Sequence, residues 1–228
     1  MIETDALYPL VFTPVYKEVM WGGNKLETIL NREIPPHSEP VGESWEIVDR
    51  DDAVSTVENG PLKGCTLRQL VEYYGKDLVG RSFNGGKFPL LVKLIDAGKR
   101  LSLQVHPDEA ACSRTPGIEP KTEMWYIIHA DKGAKIIAGL RNDTTKMRFL
   151  QNISTQEVES TLQIFDSVPG DAYFIKAGKV HAIGAGNLLL EIQQNSNTTF
   201  RISDWGRVDA NGKSRELHLD AARECIDF

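Results

Sequence analysis

The stretch LSLQVHP, residues 101–107, alternates apolar and polar side chains. This period of two predicts a β-strand whose two faces meet different environments. Gln104 and His106 are two residues apart, so their side chains leave the strand on the same side and can reach one ion. Pro107 has no backbone N–H and predicts the end of the strand. One face of this strand is therefore expected to be apolar and the other to carry ligands.

A second extended run, KTEMWYII, covers residues 121–128 and carries Glu123. An imidazole, a carboxylate and an amide oxygen from neighbouring strands suit a metal ion toward the harder end of zinc's range. Gln104, His106 and Glu123 would still lack one ligand. A plainer interpretation is also open, because a His-Pro-Asp sequence commonly starts a helix, with the acidic residue near the positive end of the helix dipole.

Residues 169–186, PGDAYFIKAGKVHAIGAG, contain a second candidate histidine, His181. Pro169-Gly170-Asp171 predicts a turn, Ala172–Ile175 a short strand and the residues around Gly178 a second turn. His181 then lies at the start of another strand-like segment. It is the candidate for the missing ligand.

The spacing of these residues resembles the two motifs of the cupin superfamily. The first is Gly98, five residues, Gln104, one residue and His106, with Gln in place of the usual first His. The second is Gly170, seven residues, Gly178, two residues and His181. The resemblance implies a double-stranded β-helix barrel.

A longer series of motifs resembles one cupin family, the type I (zinc-dependent) mannose-6-phosphate isomerases. The motifs are MWGG (20–23), GESWEI (42–47), FPLLVKLIDA (88–97), LSLQVHPDE (101–109), KTEMWYI (121–127), VHAIGAG (180–186) and LLLEIQQNSNTTFRISDWG (188–206). The resemblance runs from about Val11 to the last helix. It implies a mainly β chain, a cupin double-stranded β-helix (jelly-roll) barrel with peripheral α-helices. It also implies one zinc ion per chain and interconversion of mannose 6-phosphate and fructose 6-phosphate through an enediolate.

The same resemblance implies roles for individual residues. The implied zinc ligands are Gln104, His106, Glu123 and His181. Arg201 lies at the position of the family's active-site arginine, and its permanent charge suits an oxyanion or a phosphate. Pro120 and Asn197 stand where some members have His and Asp, and neither can act as a base. Proton transfer must then fall to Lys121, to a metal-bound water or to another pocket group. Lys121 is our candidate, because it is two residues from Glu123 on the same face of the strand and nearby zinc would lower its pKa.

Ser102 and Lys93 are the candidates for binding the substrate phosphate. Lys93 lies in the middle of the apolar run 88–96, which predicts a central strand because both of its faces are apolar. A buried ammonium needs an anionic partner. Hydroxyl and ammonium groups are common partners of phosphate.

Composition favours one substantial core, since 41% of the 228 residues are hydrophobic. We expect a single domain over residues 1–228. Thr66 and Gly75 predict the ends of a packing helix. A small helical insertion is expected around 142–166, where a Ser154-x-x-Glu157 capping box precedes a helical face of Val158, Thr161, Leu162 and Phe165. A C-terminal helix is expected at 216–227.

Charge and cysteine content restrict the partners and the location. The net charge is −6 without runs of like charge, so we expect no nucleic-acid or membrane partner. Three cysteines without a C-x-x-C spacing favour reduced thiols, and no targeting segment is visible, so we expect a cytoplasmic protein. The sequence leaves the oligomeric state open.

Two other functions remain open at this point. One is a zinc cupin isomerase for another sugar phosphate, which the pocket lysines would also serve. The other is a non-catalytic sugar-phosphate-binding cupin, because the residues at 120 and 197 cannot act as bases.

Overall fold

The computed structural model describes residues 7–209 and 211–228, so residues 1–6 and 210 of the predicted domain lie outside this description. The strands are β1 (Phe12–Thr13), β2 (Val15–Gly23), β3 (Val41–Ile47), β4 (Thr56–Val57), β5 (Leu90–Ala97), β6 (Leu103–Val105), β7 (Glu123–Ala130), β8 (Lys135–Leu140), β9 (Leu162–Asp166), β10 (Ala172–Ile175), β11 (His181–Ile183), β12 (Asn187–Gln194) and β13 (Phe200–Ser203). The α-helices are α1 (Lys25–Thr28), α2 (Leu67–Tyr74), α3 (Lys76–Val79), α4 (Glu109–Arg114), α5 (Lys146–Asn152) and α6 (Leu219–Cys225), and a 3-10 helix covers Gln156–Thr161.

Two antiparallel sheets form the body of the fold. One has the strand order β10-β7-β12-β5-β3-β2, and the other has the order β13-β6-β11-β8-β9. A buried apolar cluster joins their inner faces, with Trp125 and Ile95 from the first sheet and Ile136 and Ile183 from the second. β5 pairs with β12 and β3, as expected of the central strand predicted over 88–96.

The apolar face of β6 explains which way its polar side chains point. Leu103 and Val105 are fully buried in a cluster that includes Phe149 of α5 and Ala222 of α6. These helices cover the outside of the five-stranded sheet. Because side chains alternate along a strand, the polar residues of the 102–106 segment point inward, toward the other sheet.

The helical insertion differs in part from its prediction. Thr155, not Ser154, accepts the capping hydrogen bond, from the Glu157 N–H. The helix ends at Thr161 and is of the 3-10 type, whereas the sequence predicted that its face would continue through Phe165. Leu162–Asp166 is a strand instead, because it pairs with β8. Tertiary pairing thus overrides the local helical pattern.

Other helices agree more closely with the sequence. Thr66 caps α2 in a full capping box with Gln69, and Gly75 ends the helix. The predicted C-terminal helix is shorter than expected and spans Leu219–Cys225. The His-Pro-Asp segment also starts a helix as its plainer interpretation predicted, because Asp108 caps α4 through the Ala111 N–H. That role does not involve His106.

Glycines allow the close approach of β2 to the end of β5. A Cβ atom on Gly98 would lie 2.3 Å from the carbonyl O of Gly22, and a Cβ on Gly22 would lie 2.7 Å from the carbonyl O of Pro40. Real Cβ contacts are not this short, so only glycine fits at these positions.

In the described part of the chain, no helix is both long and apolar enough to cross a membrane. Cys65, Cys112 and Cys225 are free thiols.

Candidate metal centre and active site

Three buried side chains meet between the two sheets. The ligand atoms of His106, Glu123 and His181 all lie within 4.8 Å of one another. His106 Nε2 lies 3.3 Å from Glu123 Oε2. His181 Nε2 lies 3.4 Å from Glu123 Oε1. The fold thus brings together three of the predicted ligands from three separate segments of the chain.

Strand register places the fourth predicted ligand, Gln104, beside this cluster. Gln104 in β6 lies directly opposite His181 in β11 and, on its other side, opposite Arg201 in β13. Residues directly opposite each other in antiparallel strands point to the same face of the sheet. The side-chain amide nitrogen of Gln104 is 3.3 Å from His181 Nε2. Glu123 begins β7 in the facing sheet and completes the group from the other side.

The polar atoms of this cluster have unused bonding capacity. Both ring nitrogens of His106 and both carboxylate oxygens of Glu123 are buried with no hydrogen-bond partner among the described residues. A buried polar group left unpaired costs about 1–3 kcal/mol. His181 Nδ1 donates to the carbonyl O of Lys179 at 2.7 Å, which leaves its Nε2 lone pair facing the cluster. Two imidazoles and a carboxylate arranged in this way fit the donor set of a zinc ion.

Burial also favours the ligand-competent forms of these groups. Burial, reinforced by the charge of Lys121, lowers the pKa of His106 to about 3. Burial likewise lowers the pKa of His181. Burial alone would raise the pKa of Glu123, but the charge of Lys121 holds it well below its usual value. The site therefore presents neutral imidazoles and an ionised carboxylate, the forms that bind a metal ion.

Lys121, predicted to transfer protons, lies beside the cluster. Its Nζ is 3.0 Å from Glu123 Oε2, and its side chain is only 6% exposed. Its backbone N–H donates to the carbonyl O of Pro107 at 3.0 Å, which fixes this segment next to the one that carries His106.

Lys93 lies within the barrel but has two anionic partners from the protein. Its Nζ is 3.3 Å from Glu43 Oε2 and 3.4 Å from Glu191 Oε1. Burial alone would lower the pKa of Lys93, but these two carboxylates raise it above its usual value. The predicted contact of Lys93 with phosphate would have to compete with this internal pairing.

Ser102 and Arg201 lie on the inner face of the five-stranded sheet, next to Gln104. The Ser102 hydroxyl is 3.5 Å from Gln104 Oε1. Arg201 donates from Nη1 to the carbonyl O of Glu216 at 2.8 Å. Its Nε is buried without a hydrogen-bond partner among the described residues.

Sequence reasoning assigned no site role to Glu191 or Glu43. Glu191 is 3% exposed, and its Oε2 accepts a hydrogen bond from Trp125 Nε1 at 2.9 Å. Burial, with a further contribution from the charge of Glu123, raises the pKa of Glu191. The sequence does contain a signal for Glu191, because this carboxylate lies within the apolar run 188–192. A charged residue in an apolar run is also what singled out Lys93.

Comparison with known proteins places the chain in a family. Residues 10–117 match the family model described as phosphomannose isomerase type I, catalytic domain. The chain is 45% identical over 220 residues to mannose-6-phosphate isomerase ManA of Bacillus subtilis, covering 96% of this chain and 68% of that protein. The chain belongs to the type I phosphomannose isomerases. It is also 39% identical to the mannose-6-phosphate isomerase of Streptococcus mutans, with 96% of this chain and 67% of that protein covered.

Solved structures agree with this family and with the predicted fold. The crystal structure of the Bacillus subtilis mannose 6-phosphate isomerase superimposes with a TM-score of 0.87 at 40% identity, over 96% of this chain and 68% of that chain. A mannose 6-phosphate isomerase structure from Salmonella typhimurium shares the fold alone, with a TM-score of 0.74 at 15% identity over 96% of this chain and 74% of that chain. The predicted mainly β barrel with peripheral helices is thereby confirmed.

Proposed function

We propose that this chain interconverts mannose 6-phosphate and fructose 6-phosphate, with one zinc ion per chain. The observation that carries the proposal is the buried group of His106, Glu123 and His181, in which the ring nitrogens of His106 and the carboxylate oxygens of Glu123 have no hydrogen-bond partner among the described residues. Gln104 would complete the ligand set through its amide oxygen. A zinc ion bound there would supply positive charge near the oxygens on C1 and C2 of the sugar, which change between carbonyl and hydroxyl in the reaction.

The reaction sets the demands on the remaining residues. A base removes the proton on C2 of the aldose, and a proton is returned to C1. The proton of the C2 hydroxyl moves to the C1 oxygen, so the C1 carbonyl becomes a hydroxyl and the C2 hydroxyl becomes a carbonyl, and atoms and charge balance. Negative charge develops on the enediolate oxygens, which fixed cationic groups stabilise. Arg201, in the same row across the sheet as Gln104 and His181, is our candidate for this stabilisation.

Two side chains are candidates for moving the proton. Lys121 is the one that the sequence predicts, and its amine lies at the cluster, next to Glu123. Glu191 is a second candidate because it is a buried carboxylate with a raised pKa, the property that suits a general base at neutral pH. One of its oxygens, Oε1, has no hydrogen bond among the described residues.

Isotope exchange distinguishes these two candidates. With zinc-loaded Lys121→Met and Glu191→Gln variants in D2O, loss of the base should lower both turnover and deuterium incorporation at C2 of the aldose by about 100-fold or more. Equal zinc content of the variants is the control. Wild-type exchange by both variants would exclude both residues.

Binding of the phosphate is assigned to Ser102 and Lys93. The Ser102 side chain lies on the inner face of its sheet, next to Gln104, which supports contact with a ligand bound between the sheets. For Lys93, the proposal requires the phosphate to approach an ammonium that already contacts Glu43 and Glu191. A Lys93→Met variant with wild-type KM would restrict Lys93 to an internal role.

A substrate panel tests the activity itself. Purified protein with zinc should convert mannose 6-phosphate much faster than glucose 6-phosphate or ribose 5-phosphate. Preference for another sugar phosphate would favour an isomerase of different specificity, and binding without turnover would favour a sugar-phosphate-binding protein.

A phosphorylated substrate and free thiols also support a cytoplasmic location.

A further inference from the structure

Two loops run side by side at one end of the site. Residues 118–122 lead into Glu123, and residues 194–198 connect the strand of Glu191 to the strand of Arg201. We call these segments the paired loops. Four hydrogen bonds join them: Thr122 N–H to Gln194 Oε1 (2.7 Å), Gln194 N–H to Thr122 O (3.0 Å), Ser196 Oγ to Glu119 O (3.0 Å) and Glu119 N–H to Thr198 Oγ1 (3.0 Å).

Arg50, from the segment between β3 and β4, binds both of the paired loops with one nitrogen. Its Nη1 donates to Glu119 Oε2 at 2.9 Å and to the carbonyl O of Asn195 at 2.8 Å. The Arg50 side chain is only 17% exposed. Charge-assisted hydrogen bonds of this kind are about twice as strong as neutral ones. A cation therefore bridges the segment that leads to the predicted ligand and the segment that leads to Arg201.

The position of Arg50 is itself fixed by its neighbours. The side-chain amide of Asn195 donates to the carbonyl oxygens of Asp49 at 2.8 Å and Phe88 at 3.1 Å. Asp49 is fully buried, and its carboxylate accepts a hydrogen bond from the Phe88 N–H at 2.8 Å. Arg50 thus extends from a rigid part of the chain. Asn195 belongs to the paired loops, so Arg50 and Asn195 together tie these loops to the buried segment at Asp49.

We propose that Arg50 is a positioning residue for the site. It acts through Glu119 and Asn195 and sets the separation between Glu123, which directly follows one of the paired loops, and Arg201, which lies just beyond the other. The connection to the ligand cluster runs along the chain, because Glu119, the partner of Arg50, lies four residues before Glu123. This inference rests on the proposed function for its kinetic part, whereas its effect on metal affinity needs no turnover.

The test is the zinc affinity of Arg50→Met, measured by competition with a chromophoric chelator on metal-stripped protein. Partners that orient a metal ligand from outside typically change metal affinity by 10–100-fold, and we expect a decrease of about 10-fold. With zinc saturating, kcat should fall by about 10-fold or more, because the groups that act in the transition state are displaced. A misplacement of about 1 Å can lower a rate by up to about 100-fold. Arg50→Lys, which keeps the charge, should recover part of both losses.

Arg68→Met is the matched control. Arg68 pairs with the same region, at Asp49 and Asp51, but contacts neither of the paired loops. Its loss should lower the melting temperature and leave the zinc affinity within twofold of wild type. Glu119→Gln, at a half-exposed position, replaces Arg50→Met as the test variant if Arg50→Met does not fold. It should weaken zinc binding by about threefold.

The outcomes separate this inference from the proposed function. Wild-type zinc affinity and kcat in Arg50→Met, or in Glu119→Gln if Arg50→Met does not fold, would overturn the positioning role. Equal losses of zinc affinity in Arg50→Met and Arg68→Met would also overturn it, because general destabilisation would then explain both. A wild-type protein that binds zinc but does not isomerise mannose 6-phosphate would contradict the proposed function alone.

Discussion

Replacing Lys93 with Met removes the ammonium that lies between the buried carboxylate of Glu191 and the partly buried carboxylate of Glu43. Lys93 Nζ is 3.3 Å from Glu43 Oε2 and 3.4 Å from Glu191 Oε1, and the side chains of Lys93 and Glu191 are 6% and 4% exposed. Removing one partner of a buried ion pair costs about 3–5 kcal/mol, because the other charge is left uncompensated. For a domain of this size about 1 kcal/mol corresponds to 2–4 °C, so the melting temperature should fall by about 6–20 °C.

The loss should depend on pH in a defined direction. In the wild type, burial alone would raise the pKa of Glu43, but Lys93 holds it below its usual value. Without Lys93, burial dominates and the folded-state pKa of Glu43 rises above its unfolded value. A group of this kind contributes stability below its unfolded pKa and loses it as the pH rises through the folded pKa. The variant should therefore lose less stability at pH 5 than at pH 8.

Urea unfolding of chelator-treated protein at both pH values measures this effect. Lys25→Met is the matched control, because Lys25 lies 2.9 Å from Asp131, whose side chain is 51% exposed. The Lys25 side chain is 14% exposed, but solvent screens its half-exposed partner, and surface pairs of this kind contribute about 0–1 kcal/mol. Equal destabilisation of Lys93→Met and Lys25→Met, or a loss for Lys93→Met that grows as the pH falls, would refute the reasoning.

Three further substitutions test other parts of the account. Glu123→Gln should lower zinc affinity by more than about 100-fold in chelator competition, because it removes the charged donor of the cluster; unchanged affinity would place the metal elsewhere. Gly98→Ala should destabilise the fold by at least about 1–3 kcal/mol in urea, because its Cβ would lie 2.3 Å from the Gly22 carbonyl O; wild-type stability would contradict that close approach. Thr66→Ala should cost about 1 kcal/mol, because Thr66 forms a capping box with Gln69, and a change below 0.3 kcal/mol would argue against the cap.

Local patterns predicted the elements that local chemistry determines. The alternation around Gln104 predicted one apolar face and one ligand-bearing face of a strand, because a strand has a strict period of two. Thr66 and Gly75 fixed the ends of α2 through capping. The helical prediction for residues 162–166 was wrong because long-range contacts determine this segment. It pairs with β8, and the spacing of apolar residues along the chain cannot reveal that pairing.

The candidate site depended on long-range register, which the resemblance to a known family supplied. Nothing local to His106 or His181 indicates that the two residues meet, because they are brought together only by the pairing of β6 with β11. The contact of Lys93 with Glu191 is likewise set by the register of β5 and β12. The position of Lys93 in an apolar run predicted an anionic partner, but it did not predict that the partner is a carboxylate of the protein itself.

The most direct test of the central claim is the conversion of mannose 6-phosphate to fructose 6-phosphate by protein stripped of metal and then given back zinc. The account predicts that activity is lost on stripping and returns in proportion to zinc, up to one ion per chain. Full activity in the metal-free protein, or persistent inactivity in folded protein with zinc bound, would contradict it.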